Sequence, residues 1–234
     1  MKRFGISKFL SVGLILLLLP LSGCLAYLPS SSDWHNEIDP HSMMVKAPYQ
    51  ELTPPSPGMA KVYFIRPWRL FSGRQGFTLL HIVNQEIHPI GILGNDERVG
   101  FEVTPGQHSF MLSIFSNTKS VFLDAELRPN KVYFVLVKLL NKSEKKHLDP
   151  LYNKLSGLPI FIMFPVTHAD NESGKLGEEI EETDLYQWAE NFESWDVRIQ
   201  ERLETIFKRD WAKWENLQKE YKLRPLNEGF NLPL

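Results

Sequence analysis

Between Ala60 and Leu139 the chain repeats one pattern seven times: a short segment of alternating or continuous apolar residues, then a turn signal. The segments are 60–67 (AKVYFIRP), 77–83 (FTLLHIV), 87–93, 98–103 (RVGFEV), 107–115 (QHSFMLSIF), 120–127 and 131–139 (KVYFVLVKL). Asn84-Gln85, Gly94-Asn95-Asp96, Pro105-Gly106, Asn117-Thr118 and Pro129-Asn130 separate them, each a pair or triplet suited to a tight turn. Val99, Phe101 and Val103 alternate with Gly100 and Glu102. His108, Phe110, Leu112 and Ile114 likewise face away from Gln107, Ser109 and Ser113. A side-chain period of two specifies strands. No helix-length segment intervenes, which argues against a parallel α/β sheet and for an antiparallel β-sandwich or barrel, with a sandwich, immunoglobulin-like or similar, as the expected fold.

The later part reads differently. Residues 159–166 (PIFIMFPV) form one apolar run bracketed by prolines, which predicts a buried strand completing the sheet. Asn171 to Gly177 reads as a polar loop within an acidic stretch, 169–183. From Asp184 the spacing turns helical: Leu185, Trp188, Phe192, Trp195, Ile199, Leu203 and Ile206 recur at three and four residues, and Phe207, Trp211, Trp214, Leu217 and Tyr221 continue the stripe after a small angular shift. Asp184 with Gln187 resembles a capping box, and Pro225 ends the run. The expectation is a long amphipathic helix or helix pair over 184–224, bent or broken near 207–211, before a tail at 225–234. The fold class is therefore mainly β with C-terminal α.

Some of the strand residues resemble a known family. Gly58-Met59-Ala60-Lys61-Val62-Tyr63-Phe64-Ile65-Arg66-Pro67, the Phe101-Glu102-Val103-Thr104-Pro105-Gly106-Gln107-His108 turn and the Lys131-Val132-Tyr133-Phe134 strand together resemble bacterial lipoproteins built on the "domain of unknown function 2846". The resemblance covers about residues 58–140 and implies a small β-sandwich-like module of the cell envelope, with no activity attached.

The first 24 residues carry an address. Lys2, Arg3 and Lys8 form a positive start, and Phe9 to Ser22 is a 14-residue apolar stretch. As a helix it would reach about 21 Å, against a hydrocarbon core of about 30 Å, which is export-signal length. It ends in Leu21-Ser22-Gly23-Cys24, which looks like the bacterial lipobox. The thiol of Cys24 is the nucleophile that takes a diacylglyceryl group, small Ser22 and Gly23 admit the backbone to the processing enzymes, and Leu21 fills an apolar subsite. Cleavage before Cys24, removing residues 1–23, frees an amine for a further acyl chain, and two or more chains anchor stably. Leu25, rather than Asp, follows the lipidated position, and the enteric-type sorting rule then sends the protein to the outer membrane, facing the periplasm. Cys24 is the single cysteine, so a lipidated chain has no disulfide and no thiolate chemistry.

Residues 24–57 contain Pro29, Pro40, Pro48, Pro54, Pro55 and Pro57 and the run Ser30 to Ser32, which predicts an extended tether. Trp34, Met43, Met44, Val45 and Tyr49 make it less polar than a pure linker, so part of it is expected to lie against a body that spans 58–168. The full sequence has 26 Lys and Arg against 28 Asp and Glu; without the three basic residues of the leader, 23 face 28, a net charge of −5. That sign gives no electrostatic reason to bind nucleic acid or an anionic bilayer, so the membrane partner is reached through the lipid on Cys24.

Chemistry-bearing motifs are sparse. Glu178, Glu179, Glu181, Glu182, Asp184, Glu190, Glu193 and Asp196 fall together, but without calcium-loop spacing they read as a solvated acidic face. His35, His41, His81, His88, His108, His147 and His168 show no short ligand spacing, so no metal site is expected, and His81 and His108 read as structural. No nucleophile elbow, phosphate loop or dinucleotide glycine pattern occurs, so no catalytic residue and no cofactor is assigned. Ser72-Gly73-Arg74-Gln75-Gly76 reads as a hairpin tip. Around it, Arg66, Trp68, Arg69, Phe71 and Arg74 form the candidate binding loop, suited to carboxylate, phosphate or sugar faces. Against this stands the reading that Arg66 and Trp68 pack on neighbouring strands. Trp188, Trp195, Trp211 and Trp214 are a candidate helix interface, weighed against packing on the protein's own sheet. Two function classes follow. The favoured one is a non-enzymatic, lipid-anchored envelope protein whose sandwich and helix bind an envelope protein or peptidoglycan. The other is an envelope hydrolase or carbohydrate-active enzyme using carboxylates that no motif marks.

Overall fold

Two sheets face each other across a core of Phe, Leu and Val side chains. In the computed structural model, which describes residues 43–67, 76–114, 120–139, 161–189, 197–221, 226 and 229–232, the strands are β1 (Met44–Lys46), β2 (Ala60–Arg66), β3 (Phe77–Val83), β4 (Glu86–Leu93), β5 (Glu97–Val103), β6 (Gly106–Ile114), β7 (Ser120–Leu127), β8 (Val132–Leu139), β9 (Phe161–Pro165) and β10 (Asp184–Trp188). Helices α1 (His168–Glu172), α2 (Lys175–Glu181) and α3 (Val197–Tyr221) complete them. The first sheet has six strands in the order β1-β10-β5-β2-β8-β9, and the second has four in the order β4-β3-β6-β7. The molecule is thus mainly β with a C-terminal helix, as the alternation predicts. The four-stranded sheet is antiparallel throughout, whereas in the larger one β2 runs parallel to β8 and β10 parallel to β5.

Register explains the composition of the strands. Phe64 and Phe110 meet edge to face across the sandwich at 5.3 Å between ring centres, so Val62, Phe64, Phe110 and Leu112 line its interior. The alternate residues of β2 and β8 are not exposed. Tyr63, Ile65, Phe134 and Leu136 form a second cluster with Val166, Leu176 and Phe230 on the outer face of the six-stranded sheet. The outer face of the four-stranded sheet lies under α3: Phe122 of β7 packs on Phe207, Trp211 and Trp214 at 5.4–6.4 Å. Strands covered on both faces lose strict alternation, and KVYFVLV is nearly continuous for that reason.

Four expectations are corrected here. Residues 184–188 are not the first turns of a helix. They form β10, hydrogen-bonded between β1 and β5, because the edge of β5 would otherwise leave buried amides unpaired. The Asp184/Gln187 cap therefore does not exist, and the helix starts at Val197. That helix runs without a break through 207–211, a length of about 37 Å. The stretch 169–183 is not a loop: Leu176 and Ile180, one turn apart, anchor α2 on the outer cluster, and Gly174, at φ 76°, supplies the left-handed turn between the two helices. Finally, the boundary at 57/58 moves: part of the expected tether lies against the body, as its apolar residues suggest, and residues 43–57 belong to it. Met44–Lys46 pairs with β10, Thr53 N donates to Tyr63 Oη at 3.0 Å, and Ser56 N donates to Glu102 at 3.1 Å. The prolines there punctuate extended chain that lies against the fold. Residues 1–42, with the leader, Cys24 and the rest of the expected tether, are outside the described residues.

Candidate functional site

A cleft of about 520 Å³ opens where α3 passes over the β3–β4 hairpin. Its floor is apolar, made by Leu80, Ile87, Pro89, Leu203 and Phe207, and its rim is polar, carrying Gln85, Glu86, His88, Gln200, Glu204 and Lys208. Local sequence places each wall. Asn84 and Gln85 both have positive φ, 52° and 65°, the geometry of a two-residue hairpin turn, which fixes the register Val83↔Glu86, Ile82↔Ile87, His81↔His88, Leu80↔Pro89. Ile87 and Pro89 thereby share the face of Ile82 and Leu80, the face that α3 covers. Helical spacing then brings Leu203 and Phe207 down beside them. Glu204 and Lys208, an i,i+4 pair 3.7 Å apart, stay at the rim.

Among the described residues, strand β4 is the edge of its sheet, paired only with β3. In a hairpin of this type the residues flanking the turn exchange both hydrogen bonds and the next pair exchanges none, so the backbone groups of Ile87 and Pro89 point outward. A proline fits there because its missing N–H is not required by the ladder. Among the described residues, no hydrogen bond engages the outward N–H and C=O of Ile87.

Of the arginine loop, the structure describes Arg66; residues 68–75, with Trp68, Arg69 and Arg74, are outside it. Arg66 is not a surface binding group. It is 2% exposed, stacks over the Phe77 ring at 4.2 Å and donates to the Leu93 carbonyl at 3.2 Å. Burial pushes its pKa down to about 10, with Glu97 and Asp96 opposing the shift. It packs on the neighbouring strands, the alternative weighed against binding. Of the candidate tryptophan interface, Trp211 and Trp214 turn inward onto Phe122, as the reading of packing on the protein's own sheet expects; half-buried Trp188 lies in β10 and not on the helix, and Trp195 is outside the described residues. Of the acidic group, Asp184 pairs with Lys46 at 2.7 Å, and Glu178, Glu181 and Glu182 are exposed along α2 and its end. Glu190, Glu193 and Asp196 lie outside the described residues.

Arg98 escaped the sequence reading, whereas His81 and His108, read as structural, are so, and only their mutual contact is new. Arg98, 3% exposed, ties three segments together: Nη1 donates to Ile180 O at 2.8 Å and to Thr183 O, and Nη2 donates to Gln50 O. The guanidinium thus sits at the carbonyl end of α2, where positive charge is favoured. Burial lowers its pKa. His81 and His108 face each other with Nε2 and Nδ1 2.9 Å apart. His108 Nε2 lies 2.7 Å from the Thr104 carbonyl, which can only accept, so His108 carries its proton there, and His81 Nε2 donates to His108 Nδ1. His81 is wedged against Phe101 and Phe110, and its pKa is pushed down to about 4 by burial first, then by His108 and His88. Both roles are structural. No group of three metal-ligating side chains occurs among the described residues, and no described helix is long and apolar enough to cross a membrane.

The cleft itself was missed. The available signal was Pro89 inside a strand next to a two-residue turn, which marks an edge strand. Comparison of the chain with protein-family models and with curated proteins gives no match to either.

Proposed function

We propose that this protein is a lipid-anchored binding module of the bacterial cell envelope, held at the outer membrane through acylated Cys24 and acting by contact with an envelope protein or peptidoglycan. The observation that carries the reading is the lone cysteine placed directly behind Leu21-Ser22-Gly23 and a 14-residue apolar stretch with a basic start. The resemblance to the domain of unknown function 2846 lipoproteins points the same way. A separation of 20 residues between Cys24 and Met44 supports it further. Such a tether has a root-mean-square reach of about 25 Å, enough to hold the body beside a bilayer without immersing it. With a net charge of −5 after leader removal, the body has no attraction of its own to anionic lipid. The cleft, apolar at its floor and polar at its rim, has the character of a recognition site.

Fatty-acid labelling of intact cells tests the anchor. Wild-type protein should incorporate labelled palmitate and sediment with membranes, whereas Cys24→Ser should take no label and appear in the soluble fraction. An unlabelled wild type, or a Cys24→Ser protein bound as tightly as wild type, would remove the basis of the proposal.

A further inference from the structure

We infer that the cleft between β4 and α3 takes an extended peptide segment of a partner protein, added as a strand to the open edge of β4. This rests on the reading of the molecule as a binding module and is independent of lipidation. Three observations carry it. The first is backbone chemistry. Over Glu86–Pro89 the edge presents one outward donor, Ile87 N–H, and two outward acceptors, the carbonyls of Ile87 and Pro89. Main-chain hydrogen bonding to such an edge selects an extended peptide over a helix, a glycan or an acyl chain, none of which offers amides at strand spacing.

The second is the wall opposite. An added strand would lie beside α3, and its side chains on one face would meet the apolar floor of Leu80, Ile87, Leu203 and Phe207, leaving the alternate ones at the polar rim. The edge from Glu86 to Pro89 is about 13 Å long, so about four peptide residues would pair.

The third is the treatment of the other edge of the same sheet. Strand β7 is bridged at one residue by the chain's own C-terminal part: Leu226 pairs parallel to Ala125, with Leu226 N donating to Asp124 O and Glu126 N donating to Leu226 O, both at 2.8 Å. The fold thus already makes a main-chain bridge of this kind on one edge of this sheet. Among the described residues nothing is hydrogen-bonded in that way to β4.

The test uses the full lipidated chain in detergent and a random peptide library displayed on phage, with recovered sequences resynthesised. Bound peptide at about ten times its Kd should slow hydrogen exchange of the Ile87 amide about tenfold, and should leave amides on the outward face of α3 unchanged. Peptides N-methylated at alternate positions should lose binding in one register and keep it in the other. Gln200→Trp, which fills the cleft from an exposed position, and Ile87→Pro, which removes the outward donor without touching the β3 ladder, should each weaken binding at least about tenfold. The inference is overturned if the recovered peptides leave Ile87 unprotected, if both variants bind them as wild type does, or if the library yields no peptide that these variants discriminate. It is equally overturned if the Ile87 amide is already protected without peptide, since the chain then covers its own edge. Fatty-acid labelling is unaffected by any of these outcomes, so failure here and failure of the anchor are read separately.

Discussion

Each sheet buries its outer face, and the two faces are built differently. On the six-stranded sheet, Tyr63 and Phe134 stack at 5.9 Å, Phe230 meets Phe134 edge-on at 5.4 Å, and Tyr63 Oη accepts from Thr53 N. Arg98 binds the neighbouring segments down through backbone carbonyls. On the four-stranded sheet the packing is aromatic too, yet of the side-chain atoms buried without hydrogen-bond partners among the described residues four lie there, Thr78 Oγ1, Ser113 Oγ, Trp211 Nε1 and Trp214 Nε1, against one on the other face, Arg98 Nε. Thr78 and Ser113 are cross-strand neighbours under α3, and the described polar tie between helix and sheet is Ser120 donating to Asp210 at 2.9 Å. An unpaired buried polar atom costs about 1–3 kcal/mol. Two apolar faces of similar composition therefore differ in what covers them: α2 is tied down by backbone carbonyls on Arg98, whereas α3 rests on a face with more unpaired polar groups.

The contrast can be broken from either side. The largest effect belongs to the face under α2. Phe134→Ala, which empties the centre of its cluster, should destabilise the fold by about 3–5 kcal/mol in urea unfolding, and a loss under about 1 kcal/mol would mean the cluster is loosely packed.

The sandwich interior between the faces gives a second handle, through His81. Its folded pKa of about 4 lies below the ordinary 6.5, so unfolding at acid pH takes up a proton that the folded ring refuses. Its stabilisation is complete above about pH 6.5 and falls as pH drops toward 4, by about 3 kcal/mol in all. His81→Gln, which keeps a donor for His108, should flatten that acid limb of a stability–pH curve; an unchanged slope would assign the acid sensitivity elsewhere.

The smallest effect has the opposite sign. Thr78→Val with Ser113→Ala removes two unpaired hydroxyls beneath α3 and should raise stability by about 1–2 kcal/mol, read as a higher urea midpoint with slower exchange in α3. A drop would show that both hydroxyls are satisfied in solution and that the two faces are alike.

How far the sequence disclosed this arrangement depends on the range of the interaction. Strands β2 to β8 were legible because alternation and turn residues are local: Asn84-Gln85 marks its hairpin, and Val99, Phe101 and Val103 mark theirs. Residues 184–188 were not, because Leu185 and Trp188 suit a helix face as well as a strand. The deciding partner is the edge of β5, at Glu97 to Val99, far back in the chain. The parallel pairing of β2 with β8, the Arg98 junction and the His81–His108 contact are likewise products of sheet order, which no local pattern encodes. For Arg66 the sequence offered both binding, from its aromatic and basic neighbours, and packing on strands; packing holds, with Phe77 and Leu93 on other strands setting the burial. The cleft joins β4 to a helix more than a hundred residues later, so only the proline at the edge hinted at it.

Strand β10, seated between β1 and β5, also sets a clock. Gln50 and Leu185, joined by hydrogen bonds in the finished fold, are 135 residues apart. At a synthesis rate of about 5–20 residues per second, β1 waits about 7–27 seconds for β10, its one neighbour among the described residues, to be made. Throughout that interval Thr53 and Ser56 can already reach β2 and β5, but β1 itself has no described strand to join, and whatever machinery handles the N-terminal chain meets it before the fold can draw it in.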